Sequence, residues 1–295
     1  MSDQAPAVTI RGLRFSYGGE TDDALAPRLN QSLVGWFAPI RALFRRSEGL
    51  IVPSRSRNGR APQTELLYDS FNLDISAGSV IALMGGSGSG KSTLAKLLVK
   101  DYPLAAGTIV WRQDFSAPHE IIYTDQHPLN SVYPWQTVRE NIEWPLRRRG
   151  WTQRERSERV ERLLTIFGLS DRSAAFPKAI SGGELQRLAI ARCISWRPRC
   201  LILDESLSAL DRNTRAGIIT ALRTIRDEDN MTVILITHYL TDVLAFADRC
   251  VALGGRPIRV LGDLPIYLPH PRDENSPEYQ AAQEPLIEIL RHGHL

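Results

Sequence analysis

Cysteine is scarce in this chain, three residues in 295, and Cys193, Cys200 and Cys250 lie too far apart for any metal-ligand spacing. They are expected as reduced, buried small side chains. Long apolar runs are missing too. None approaches the roughly 20 residues that a bilayer-spanning helix requires, so the chain is not expected to cross a membrane itself. Nor is there a strong charge of one sign: 36 Lys and Arg against 33 Asp and Glu leave a formal +3. That is too little to argue for a nucleic-acid partner, and the triplet Arg147–Arg149 reads as a solvated helix face. The opening MSDQAPAVTIRG has no basic-then-apolar signal layout, which points to a cytoplasmic location. No internal repeat with a period of 20–50 residues is visible. The apolar content, 43%, is ordinary for a packed core.

What is present in quantity is glycine around position 88. Residues 85–93 read GGSGSGKST and satisfy the spacing G-x-x-x-x-G-K-[ST], a loop whose backbone N–H groups close around a chain of phosphates. Gly85, Gly86, Gly88 and Gly90, with Ser87 and Ser89 between them, allow backbone angles and approach distances that a Cβ forbids. Lys91 supplies a point charge for the β- and γ-phosphates and Ser92 a hydroxyl for Mg²⁺. Ser92 and Thr93 open a helix whose positive end faces the anion. The apolar run SVIALMG before the loop and LAKLLV after it give the strand–loop–helix context the pattern needs. The chain is therefore expected to bind a nucleoside triphosphate.

Around this loop the chain alternates between strand and helix character. VTIRGLRFSYGG reads as a strand ending in a turn, and LLYDSFNLDISAG as another leading into the loop. Between about residues 20 and 65 the pattern is lost, and the stretch ends in the basic, flexible PSRSRNGRAP. Within it Leu33, Trp36, Phe37, Ile40, Leu43 and Phe44 fall near helical spacing, with Arg41, Arg45 and Arg46 interleaved and Pro39 interrupting. Two readings of this face stand side by side: packing on its own domain, or docking on a permease or lipid surface. Segment 127–180 turns helical, with Thr152 and Glu155 as a capping box and Gly168 ending a helix. After SGGE a helix runs to Pro198, and the buried strand CLILD follows; a polar helix over about 212–228 and the strand MTVILITH complete a β/α alternation that implies a parallel sheet.

LILDE sets Asp204 and Glu205 at the carboxyl end of a buried strand, where ligands of open α/β sheets sit. Asp204 can hold Mg²⁺ and Glu205 can orient or deprotonate an attacking water. His238 ends the strand VILIT on the same side and is expected to contact the γ-phosphate. Ser181, Gly182, Gly183 and Glu184 open the next helix as a second anion-binding nest, one more than a single nucleotide needs.

GGSGSGKST, Gln126, SGGELQR, LILDE, SALD and TH, in this order, resemble the nucleotide-binding subunits of ABC transporters. The resemblance implies an α/β fold with a P-loop NTPase (RecA-like) core and a mainly parallel sheet. An N-terminal antiparallel β part and an α-helical subdomain complete it. It assigns 1–126 and 185–265 to the core, 127–184 to the helical subdomain and 266–295 to a helical tail, all within one domain interrupted by the 20–65 insertion. It implies ATP and Mg²⁺ as cofactors, with Tyr17 stacking on adenine and Ser92, Gln126 and Asp204 around the metal. Glu205 becomes the catalytic carboxylate, with Lys91 and His238 on the phosphates. Ser181–Glu184 would then close over the nucleotide of a second copy, or of a paralogous ATPase subunit, with Asp211 aligning the two. The further partners implied are integral membrane permease subunits and, indirectly, an extracytoplasmic solute-binding protein. The location implied is peripheral, on the cytoplasmic face of the inner membrane.

NSVYPWQTVRENIEWPL, ADRCVAL and the tail LPHPRDENSPEYQAAQEPLIEIL narrow the resemblance to the nitrate/sulfonate/taurine importers. The same ATP motifs also occur in the ATPases of lipid or lipoprotein exporters and in soluble ABC ATPases, so the alternatives stay open at this point. Ser206 replaces the family's usual proline, Glu184 its usual glutamine, and Thr124–Asp125 its usual apolar-aromatic pair before Gln126. In the tail, Ser276 is expected to cap a helix with Pro277 at its first position.

Overall fold

The computed structural model describes residues 5–17, 65–115, 119–124, 126–148, 150–208, 210–270 and 272–292. The 20–65 insertion, apart from Glu65, lies outside the described residues, as do Asp125 and Arg149. Nine strands form two sheets. A three-stranded antiparallel sheet runs in the order β2 (Tyr68–Ser76), β1 (Pro6–Phe15), β4 (Ala106–Trp111). A six-stranded sheet runs β5 (Ile121–Thr124), β6 (Cys200–Asp204), β7 (Thr232–Ile236), β3 (Val80–Met84), β8 (Arg249–Gly254), β9 (Arg259–Pro265). Its first five strands are parallel and β9 is antiparallel to β8.

β3, β6 and β7 are buried at every position, as expected for central parallel strands covered on both faces. Side-chain alternation then sorts their residues into two cores. Ala82, Leu203 and Leu235 face a core shared with the helical part, whereas Leu83, Ile202 and Ile234 face one shared with the antiparallel sheet. The helices are α1 (Lys91–Leu98), α2 (Val138–Glu143), α3 (Gln153–Ile166), α4 (Gly182–Ser195), α5 (Arg212–Asp229), α6 (Leu240–Phe246) and α7 (Pro277–His292). The capping box of Thr152 and Glu155 opens α3 as its sequence implies, and the same device opens α2 (Thr137, Glu140) and α4 (Ser181, Glu184). In the tail, Tyr279 N–H donates to Ser276 Oγ at 3.2 Å, so the expected cap is present. α7 lies close on β9: a Cβ on Gly262 would sit 2.4 Å from Ile289 Cδ1. All three cysteines are buried. Among the described residues no helix is long and apolar enough to cross a membrane.

Candidate nucleotide site

The carboxyl ends of β3, β6 and β7, with the start of α1, bring most of the expected residues together. Residues 85–90 leave β3 and turn back into α1, whose N-cap is Gly90 in the left-handed region, φ 74°. A side chain is excluded twice here. A Cβ on Gly85 would lie 2.3 Å from the Leu253 carbonyl oxygen, and one on Gly90 would lie 2.2 Å from Ile258 Cδ1. Tyr68, buried in β2, supports the loop from behind by donating to the Gly90 carbonyl at 2.9 Å. The Lys91 ammonium arches over the loop and donates to the carbonyls of Gly85 and Gly86 at 2.9 Å each and to Ser89 Oγ at 3.1 Å. Burial pushes its pKa down, and Glu205 and then Asp204 pull it back up. A buried cation facing two carboxylates inside a glycine cradle suits a polyanion accompanied by a divalent metal.

Ser92 Oγ donates to Asp204 Oδ1 at 3.0 Å, so hydroxyl and carboxylate already face each other as a metal-binding pair would. This donor set and the cradle fit MgATP: Lys91 and the loop amides on phosphates, Ser92 and Asp204 on the metal. Glu205 follows with φ 47°, and each of its carboxylate oxygens meets a different side chain. Gln126 Nε2 donates to Oε2 at 3.3 Å, and His238 Nδ1 lies 3.8 Å from Oε1. Glutamine, glutamate and histidine, distant in sequence, thus stand around one point.

Tyr17 ends the described part of β1's exit. Its hydroxyl is within 2.5 Å of Thr93 Oγ1, and its ring meets Phe15 and Tyr102 edge-on at 5.2 and 6.2 Å. It remains 59% exposed, so a ring face beside α1 is accessible to a flat ligand. Ser181 and Glu184 do something the sequence reading did not assign to them. The Glu184 carboxylate accepts from Ser181 N–H at 2.8 Å and from Arg172 at 3.1 Å, which holds its pKa below the usual range. It closes its own helix rather than facing outward. Gly183 abuts α5, where a Cβ would meet the Thr214 methyl at 3.1 Å. Asp211 caps α5, accepting from Asn213 and Thr214 N–H at 3.0 Å each. The SGG and SALD turns therefore form one continuous face.

Two contacts escaped the sequence reading. Tyr123 Oη donates to Asp204 Oδ2 at 2.8 Å. Arg215, one turn into α5, donates to the carbonyls of Ser208 and Leu210 at 3.3 and 3.1 Å and pairs with buried Asp242 at 3.4 Å. Its guanidinium also lies 4.5 Å from the Tyr239 ring, which in turn packs 4.1 Å from that of His238. Spacing alone carries no signal for either contact, because each joins loops that only the folded sheet brings together.

A family model described as ABC transporter matches residues 68–208. A taurine import ATP-binding protein of Sinorhizobium fredii is 34% identical over 220 residues, which cover 73% of this chain and 80% of that protein. The chain belongs to the ABC transporter ATP-binding family. A nitrate import ATP-binding protein of Synechocystis is 34% identical over 223 residues, covering 73% of this chain and 82% of the relative. An aliphatic sulfonates import ATP-binding protein of Rhodopseudomonas palustris is 35% identical over 226 residues, covering 76% and 77%. Among solved structures, cbiO1 of Clostridium perfringens, part of an ABC transporter complex, superimposes with a TM-score of 0.67 at 19% identity over 98% of both chains, which speaks to the fold. The expected fold class is the observed one, and this ABC subunit is an ATPase.

Proposed function

We propose that this ABC ATPase energises an importer of a small anion, of the nitrate, sulfonate or taurine kind, from the cytoplasmic face of the inner membrane. The names of the relatives support the anion class, and the convergence of Lys91, Ser92, Asp204, Glu205, Gln126 and His238 supports the chemistry. Bound Mg²⁺ supplies charge neutralisation for the phosphate oxygens. Lys91 releases its loop carbonyls and turns its ammonium to the β- and γ-phosphates. Ser92 and Asp204 hold the metal. Glu205, fixed between Gln126 and His238, orients the attacking water and accepts its proton. His238 contacts the γ-phosphate, and Tyr17 offers its ring to adenine.

Ser181, Gly182 and Gly183 with Asp211 form the face that closes over the nucleotide of a second copy or of a paralogous subunit. The continuity of these turns through Gly183 and Thr214 supports one shared contact surface. Leu129 and Trp135, 57% and 58% exposed just past Gln126, are the apolar groups offered to a permease subunit. A solute-binding protein outside the membrane would act only through that permease. The domain division follows the expectation, with 127–184 as the helical subdomain and 266–295 as the tail.

The observation that carries this reading is the placement of Glu205 between Gln126 and His238. Glu205→Gln is expected to keep MgATP binding, to lose steady-state turnover and to accumulate as an ATP-bound dimer in size-exclusion chromatography. Hydrolysis at the wild-type rate refutes the catalytic assignment, and a strictly monomeric ATP complex refutes the shared site.

A further inference from the structure

β5 is the outer strand of the six-stranded sheet and pairs only with β6, yet its last residues reach the metal-binding carboxylate directly. In the parallel register Tyr123 stands opposite Ile202 and Thr124 opposite Leu203. Alternation puts Tyr123 on the face that Ile202 and Asp204 share, and Thr124 on the other. Tyr123 Oη therefore meets Asp204 Oδ2 diagonally across the pair, at 2.8 Å, while Oδ1 accepts from Ser92 at 3.0 Å. On the opposite face Thr124 Oγ1 and Ser206 Oγ lie 2.8 Å apart, both buried, and Ser206 Oγ donates to the Asp204 carbonyl at 3.3 Å. Two side-chain contacts, one above and one below the sheet, thus pin the end of β5 to the carboxylate-bearing end of β6.

We propose that Tyr123 is a specificity-determining positioning residue that holds Asp204 as a one-oxygen ligand and thereby favours Mg²⁺ over larger cations. The inference rests on the assignment of Asp204 to the metal. A carboxylate with Oδ2 committed to a phenol presents Oδ1 alone. Mg²⁺ demands a near-ideal octahedron and takes few carboxylates, whereas Ca²⁺ accepts two-oxygen carboxylates and more ligands. Loss of the phenol releases Oδ2, admits two-oxygen coordination and leaves the carboxylate free to rotate. Partners of this kind around a metal ligand are typically worth 10–100-fold in metal affinity.

The test is equilibrium binding of a fluorescent ATP analogue to the full chain with Mg²⁺, with Ca²⁺ and with EDTA. In the wild type, Mg²⁺ tightens binding more than Ca²⁺ does. Tyr123→Phe, which removes one oxygen and keeps the ring, is expected to retain the EDTA affinity and lose about 10-fold of the Mg²⁺-dependent tightening. Its Mg²⁺-to-Ca²⁺ ratio then falls toward one. Ser206→Ala, which deletes a buried hydroxyl in the same turn, is expected to keep the wild-type ratio. An unchanged ratio in Tyr123→Phe overturns the inference, and so does an equal fall in Ser206→Ala, which marks general loosening. A wild type indifferent to Mg²⁺ overturns the metal role of Asp204 itself, a distinguishable result.

Discussion

Arg215→Ala removes the one side chain that touches both the SALD turn and the segment after His238. Its guanidinium holds the carbonyls of Ser208 and Leu210 and pairs with Asp242, whose own side chain is 1% exposed and also accepts from Thr237 Oγ1 at 3.0 Å. Breaking a buried pair by removing one partner costs about 3–5 kcal/mol, and the long 3.4 Å contact places this one at the lower end, about 3 kcal/mol. For a chain of this size that corresponds to a fall of about 6–12 °C in the unfolding midpoint. Burial already pushes the Asp242 carboxyl above the usual range, against the downward pull of Arg215. Without Arg215 that carboxyl rises further, so the variant binds a proton on folding that the unfolded chain does not hold. Its deficit is greatest near neutrality and shrinks as the pH falls toward about 5. Thermal unfolding across this pH range, with ATPase measured in parallel, reads both effects, and kcat is expected to fall more than nucleotide affinity. Asp242→Asn in the same chain should recover part of the stability. A midpoint within about 2 °C of the wild type, or a deficit that deepens in acid, refutes the reasoning.

Lys91→Ala is expected to lose most nucleotide affinity while folding normally, as equilibrium binding and circular dichroism together would report. Gly90→Ala forces a Cβ against Ile258 at a φ of 74°, and is expected to cost about 1–3 kcal/mol in chemical denaturation and to abolish nucleotide binding. Glu184→Gln keeps an acceptor for Ser181 N–H and should retain turnover, whereas Glu184→Ala opens the cap at a cost of about 1 kcal/mol. Trp135→Ala, on an exposed ring, should leave stability within about 0.5 kcal/mol and weaken co-purification with the permease.

The phosphate loop was legible in the sequence because its chemistry is local: consecutive glycines, a lysine and a hydroxyl act on the same ligand from one turn. The central strands were legible because burial on both faces leaves SVIALM, CLILD and TVILI without polar interruptions. The caps of α3 and α7 followed from spacings of three residues. What could not be read were pairings across long separations. Thr124 and Ser206 looked like two unrelated departures from the family pattern, and the sheet joins them as a hydroxyl pair. Tyr123 becomes a partner of Asp204 only once β5 is laid beside β6 in register. Glu184 was read as part of an anion nest, and the competing demand of its own helix terminus won.

The repeated capping box in α2, α3 and α4 bears on how this part of the molecule can move. Each helix satisfies its leading amides with its own side chains, so sliding against a neighbour opens none of those bonds. Motion of this region is then a matter of side-chain repacking alone, without partial unwinding. In hydrogen-exchange terms, the first-turn amides of Glu140, Glu155 and Glu184 should stay protected through the ATP cycle, and helix length is conserved while helix position changes.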